Sequence, residues 1–93
     1  MSTLHMVSRQ LDDAALQSLE RSLSDADGLL LSCDGVYLAM KPAFAWKVSQ
    51  VYALEADVSA RGLSDSWPGD VGLVDHSGLV ELCVHFDKSM SWS

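Results

Sequence analysis

The residues of this 93-residue chain best suited to chemistry are two cysteines, Cys33 and Cys83, and three histidines, His5, His76 and His85. Cys33 stands at the end of the run Gly28-Leu29-Leu30-Leu31-Ser32-Cys33, immediately before an Asp34-Gly35 corner. An apolar run without polar alternation reads as a strand buried on both faces, the habit of parallel sheets covered by helices. In such sheets, ligands and reactive groups gather at the carboxyl ends of the strands. Cys33 is therefore the one candidate nucleophile, although a free cysteine is also among the most commonly buried residues and is then inert. His76, Cys83, His85 and Asp87 lie close together, but their spacing fits no zinc pattern. If residues 77–86 are helical, His76 and Cys83 share a face and His85 points elsewhere, so no metal site is expected. His5, in mid-strand, is expected to be a core histidine with its nitrogens satisfied.

Other chemistries are excluded by what the sequence lacks. There is no GxGxxG or GxxxxGK[ST] phosphate cradle, and the turn after the first strand carries Arg9 and Gln10 instead of glycines. No GxSxG nucleophile elbow occurs. Clustered strand-end carboxylates, as a phosphoacceptor domain needs, are replaced by Ser8 and Cys33-Asp34. No cofactor is expected. Tyr37, Trp67, Met90 and Trp92 are aromatic or flexible apolar residues of the kind enriched at protein interfaces. Together with Asp34 they form the candidate partner surface, the alternative being that the aromatics simply lid a small core.

The elements that must position these groups follow from local patterns. Thr3–Ser8 reads as a first strand. Asp12 and Asp13 stand where a helix N-cap belongs, and Ala15, Leu16, Leu19 and Leu23 follow at helical spacing. This helix is expected to run to Asp25–Gly28, with Arg21 reaching Asp25 one turn on. After the second strand, Asp34 can cap a short helix ended by Pro42, and Ala43–Trp46 reads as a loop. Gln50–Leu54 suits a strand, residues 55–61 make about two helical turns closed by Gly62, and Ser64–Gly69 is a loop. Asp70–Val74 is a fourth strand. The segment 79–86 fits both periods, since Val80, Leu82, Val84 and Phe86 alternate as in a strand. The preceding strand-then-helix steps favour a helix, and Ser89–Trp92 then forms a last strand. The expectation is one domain over residues 1–93, with a mainly parallel sheet of about five strands covered by helices on both faces.

Composition sets the company such a domain keeps. Hydrophobic residues make up 48% of the chain and charged residues 20%. A domain this small buries only roughly 60–65% of its unfolded surface, so neighbouring subunits are a natural source of further burial. The formal net charge of −7, with six scattered basic residues, opposes direct binding to a phosphate backbone. Two cysteines without a CxxC fit a reducing compartment. With no signal-peptide pattern and no apolar run approaching 18 residues, a soluble, cytoplasmic protein without membrane contact is expected.

Several strings, taken in order, carry a resemblance. They are Leu4-His5 with Val7-Ser8, the corner Asp34-Gly35-Val36-Tyr37, Val51-Tyr52-Ala53-Leu54, Asp57-Val58-Ser59-Ala60-Arg61-Gly62-Leu63, Val74-Asp75 and Met90-Ser91-Trp92. Together they resemble the TusB/DsrH family of sulfur-relay proteins from end to end. The resemblance implies a DsrE-like fold with flavodoxin-like layering. It also implies assembly with two sister subunits, TusC- and TusD-like or DsrF- and DsrE-like, as a dimer of heterotrimers. Such a complex takes persulfide sulfur from a TusA-like carrier. It passes the sulfur, with a TusE-like protein, toward 2-thiouridine at the tRNA wobble position. The sulfur-carrying cysteine belongs to the TusD/DsrE-like partner. Some DsrH members have a cysteine in the first helix, where this chain has Leu19. The resemblance thus implies a non-catalytic subunit, for which self-association in isolation is no contradiction. Two other readings stay open: a sulfurtransferase carrying persulfide on Cys33, and a DsrH-type subunit of dissimilatory sulfur oxidation.

Overall fold

The computed structural model describes residues 2–40, 50–68 and 71–92. Strands β1 (Thr3–Val7), β2 (Gly28–Leu31), β3 (Gln50–Leu54), β4 (Gly72–Val74) and β5 (Lys88–Trp92) form one sheet. Their order is β4-β3-β2-β1-β5, and every pairing is parallel. Helices α1 (Asp13–Ser22), α2 (Glu55–Ala60) and α3 (His76–His85), with a 3-10 helix at Cys33–Met40, link the strands. The expected small α/β fold with helices on both faces is what the chain adopts.

Topology dictates which face each helix takes. Parallel strands need crossovers, and crossovers are right-handed. The steps β1→β2→β3→β4 all advance in one direction, so their connections stack on one face. There Leu19 of α1, Val36 and Leu38 of the 3-10 helix and Val58 of α2 pack with Val7, Leu29, Leu31, Val51 and Ala53 into the main core. The step from β4 back to β5 runs the other way and carries α3 onto the opposite face. Leu79 and Leu82 of α3, followed by Phe86, cover a smaller cluster with Leu4 and Leu30. Leu19 of α1 is fully buried.

Several local expectations are corrected. α1 ends at Ser22, not at Asp25–Gly28, because Leu23 turns into extended backbone and Gly28 already belongs to β2. Arg21 therefore has no helical turn ahead of it, and its Nε donates to the Gln17 carbonyl (3.4 Å) instead of reaching Asp25. The turn after β2 is a 3-10 helix that begins at Cys33, so Asp34 sits inside it and not in front of it. β4 starts at Gly72, and the 64–68 loop holds a short 3-10 turn, Ser64–Ser66. The segment 79–86 is helical up to His85 and is capped at its start by Asp75, whose carboxylate accepts from the Gly78 N–H (2.8 Å). The Ala43–Trp46 expectation lies outside the described residues.

His5 fulfils its sequence expectation. It is 2% exposed, and the Trp92 indole N–H, which can only donate, points at its Nδ1 (3.0 Å). The ring proton therefore sits on Nε2 and is donated to Asp27 Oδ2 (3.0 Å). Asp27 also accepts the backbone N–H groups of Thr3 (3.0 Å) and Ser24 (3.2 Å). Burial by itself would push the Asp27 carboxyl up, but these hydrogen bonds, led by His5, hold it below the usual aspartate value.

A depressed folded-state pKa makes the Asp27 contribution complete above the ordinary aspartate value and lost as pH falls through the folded one. Asp27→Asn puts an amide against buried donors and should cost roughly 2–4 kcal/mol near neutrality. That corresponds to a drop in Tm of at least about 8 °C. As pH falls from the ordinary aspartate value through the lower folded one, the wild-type carboxylate protonates and the gap between the two chains should narrow. Thermal unfolding followed by circular dichroism across that range checks this. A gap independent of pH would mean that the carboxylate charge contributes nothing.

Candidate functional site

Two neighbouring features occupy the carboxyl edge of the sheet. The first is built around Cys33. The chain leaves β2 at Leu31, and the Ser32 N–H donates to the Val7 carbonyl at the end of β1 (2.9 Å). Cys33 then turns with φ +49°, a left-handed conformation uncommon for a residue with a side chain. Its N–H is held by Asp57 Oδ2 of α2 (2.8 Å). Arg61 closes the group: its Nε and one terminal nitrogen donate to Asp34 Oδ1 (3.1 and 3.0 Å), and the other lies 3.7 Å from Asp57 Oδ1. The Asp34 hydrogen bond, partly offset by burial, raises the Arg61 pKa still further.

The resemblance-carrying strings Asp34–Tyr37 and Asp57–Leu63 thus meet here as one clamp. Gly35 fits because a Cβ at that position would lie 2.1 Å from the Val7 carbonyl oxygen. Gly62, at φ +68°, lets the chain leave α2 with Leu63 N–H bonded back to the Val58 carbonyl (3.1 Å). Cys33 itself is exposed, with Asp57 in direct contact and Asp34 next in the chain.

The second feature is a crevice of about 450 Å³ between the carboxyl ends of β3 and β4, lined by Leu54, Glu55, Ser59, Val74, Asp75 and His76. The connection after β3 goes to one face and the one after β4 to the other. This is the switch point at which open α/β sheets bind ligands. The residue ending β3 here is Leu54, and neither cysteine lines the crevice. Its polar groups, two carboxylates, an imidazole and a hydroxyl, can hydrogen-bond or attract positive charge but include no thiol.

The remaining sequence candidates fall in different places. Trp67 is partly buried on the main core and donates to the Val71 carbonyl (3.0 Å). Trp92 does likewise toward His5, so both tryptophans are engaged inside the chain. Met90 is 49% exposed on edge strand β5, Asp34 is exposed, and Tyr37 is half-buried. Cys83, in α3, is exposed. His85 packs edge-on against Phe86, with ring centroids 5.1 Å apart. Among the described residues no cluster of three His, Cys, Asp or Glu side chains could hold a metal, and no helix is long and apolar enough to cross a membrane. Sequence reasoning missed the roles of Asp27, Asp57 and Arg61. The i,i+4 spacing of Asp57 and Arg61 was the available signal for the last two, and nothing short of topology pointed to Leu54 and Glu55.

A five-stranded parallel sheet in the order β4-β3-β2-β1-β5, with its crevice between β3 and β4, defines a small α/β protein of the DsrE-like class. Solved structures agree. The solution structure of Tm0979 from Thermotoga maritima superposes with a TM-score of 0.66 at 26% identity, covering 91% of this chain and 93% of that one. The crystal structure of YchN from Escherichia coli shares the fold at a TM-score of 0.64 and 16% identity, over 99% and 100%. The model of the family described as DsrH-like protein matches residues 10–89, and the chain belongs to that family. It is also similar to proteins named TusB: 36% identical in Escherichia coli K12, over 99% of both chains, and 30% in Pectobacterium parmentieri, over 96% of this chain and 99% of that relative.

The clamp makes two measurable demands. Gly35→Ala forces a methyl group into the β1 backbone, which cannot yield as a side-chain end can, and should cost about 1–3 kcal/mol or more. Asp57→Ala removes the acceptor for the Cys33 N–H at a half-exposed position and should cost about 1 kcal/mol. Urea unfolding of both variants checks the order. A Gly35→Ala chain as stable as the wild type would show that the corner does not approach β1 as described.

Proposed function

We propose that this protein is a non-catalytic subunit of a sulfur-relay complex of the TusBCD type. The similarity to TusB proteins over nearly the whole of both chains is the observation that carries this reading. The site geometry supports it. The switch-point crevice is lined by Leu54 at the end of β3 and includes no thiol, and the exposed Cys33 is flanked by Asp57 and Asp34 and lies outside that crevice. The reading assigns persulfide transfer to a cysteine of a TusD-like sister subunit. This chain, with a TusC-like subunit, fixes the geometry around it in a heterohexamer. TusA- and TusE-like carriers deliver and receive the sulfur, which is destined for the wobble uridine of tRNA. The net charge of −7 leaves RNA contact to other proteins. Asp34, Tyr37 and Met90 are proposed as partner contacts, with Trp67 and Trp92 supporting them from the core.

One observation favours a second reading, in which Cys33 itself carries persulfide: the thiol is exposed near the carboxyl ends of the strands. A Cys33→Ser chain separates the two. Assembled with its two sister subunits and supplied with a persulfide donor, it should pass sulfur at the wild-type rate. Abolished transfer in a complex that still assembles would move the chemistry to Cys33. Failure of the wild-type chain to join its sister subunits at all would remove the subunit reading.

A further inference from the structure

The face of the sheet that carries α3 is thinly covered. On the other face α1, α2 and the 3-10 helix bury a broad apolar cluster; here the fully enclosed residues are Leu4, Leu30 and Phe86. α3 buries none of its ten residues completely. Leu79 and Leu82 turn inward, which places Val80 and Val84, one helical turn apart, on the outer side. They are 62% and 80% exposed. β-branched residues gain little from a solvated helix surface. Beside the helix, toward β3 and β4, runs a groove of about 470 Å³ floored by Tyr52 and Val74 and walled by Leu82, Glu81 and His85. The helix ridge and the groove adjoin through Glu81, so together they offer one continuous surface.

We infer that this surface, the Val80–Val84 ridge with the groove along Glu81, is the docking face for a sister subunit presenting an apolar strip edged by lysine or arginine. Charge decides against a second copy of this chain. No lysine or arginine lines the groove among the described residues. Arg21 and Arg61 belong to elements on the opposite face. Lys88, paired with Thr3 in β5, alternates onto that opposite face too. Two copies meeting face to face here would bring together chains of net charge −7, and among the described residues neither groove lining offers Glu81 a lysine or arginine. A partner with a basic edge meets Glu81 and covers the valines at once. The inference rests on the subunit reading above and names the surface that reading requires.

The test is co-purification of the chain with its two sister subunits, using wild type, Val80→Asp/Val84→Asp and Glu81→Lys. The wild type should co-elute as a complex. The double variant should remain a monomer with unchanged circular dichroism and Tm, since both positions face solvent. Glu81→Lys, a single surface charge unable to unfold the chain, should weaken assembly on the order of tenfold and remove its sensitivity to salt. It decides the matter if the double variant fails to fold. A wild-type complex that neither variant disturbs overturns this inference and leaves the subunit reading standing. A wild-type chain that never joins its sisters overturns that reading first. A homodimer of the chain alone, lost in the double variant and not displaced by the sisters, overturns the inference in favour of a second copy.

Discussion

The structure depends on closing β5 against β1. Lys88-Ser89-Met90-Ser91-Trp92 is too polar to be held by burial, and four of its five residues are exposed. What fixes it is the parallel ladder to Thr3–Val7 and the hydrogen bond from Trp92 to His5. His5 is in turn held by Asp27, which also ties down Thr3 and Ser24. One buried carboxylate therefore fixes the entry to β2, the start of β1 and, through the imidazole, the edge strand. Because α3 is the connection that ends at β5, the covering of the whole second face rests on the same chain of bonds.

That connection is also a geometric constraint. Returning from β4 to β5 means crossing about 19 Å of sheet width at the usual strand spacing, and a ten-residue helix is only about 15 Å long. α3 must run obliquely, from the carboxyl end of β4 toward the amino ends of β1 and β2. There Phe86 closes over Gly28, whose missing side chain leaves room for the ring. An oblique single helix cannot roof five strands. The exposed valines and the groove beside Tyr52 follow from the topology itself and are no accident of surface composition.

Much of this was legible in the chain. The apolar run at 28–31, the Asp12 cap and the return of a helix after each strand sufficed for the fold, because binary pattern and crossover handedness leave few alternatives. The boundaries were less legible. α1 stops three residues early since no intrahelical signal distinguishes Leu23 in a helix from Leu23 folded onto the core. At 79–86 the local pattern fits two periods, and only the consistency of the surrounding elements decided between them. Long-range polar partnerships were not legible at all. Asp27 with His5, 22 residues apart, and Asp57 with the Cys33 N–H, 24 apart, are set by which strands become neighbours.

This bears on what a family resemblance means physically. The two strings with the most distinctive composition, Asp34–Tyr37 and Asp57–Leu63, form a clamp that holds a left-handed Cys33 and a glycine pressed on β1. Their residue types are explained by geometry alone: an acceptor for an exposed N–H, a cation between two carboxylates, a glycine where a Cβ collides. The switch-point crevice at the strand ends of β3 and β4 is by contrast lined by Leu54 where β3 ends. In these strings the resemblance is therefore carried by backbone geometry, while the end of β3 holds a side chain that can only pack. The least covered surface of this scaffold is the one that lies across α3.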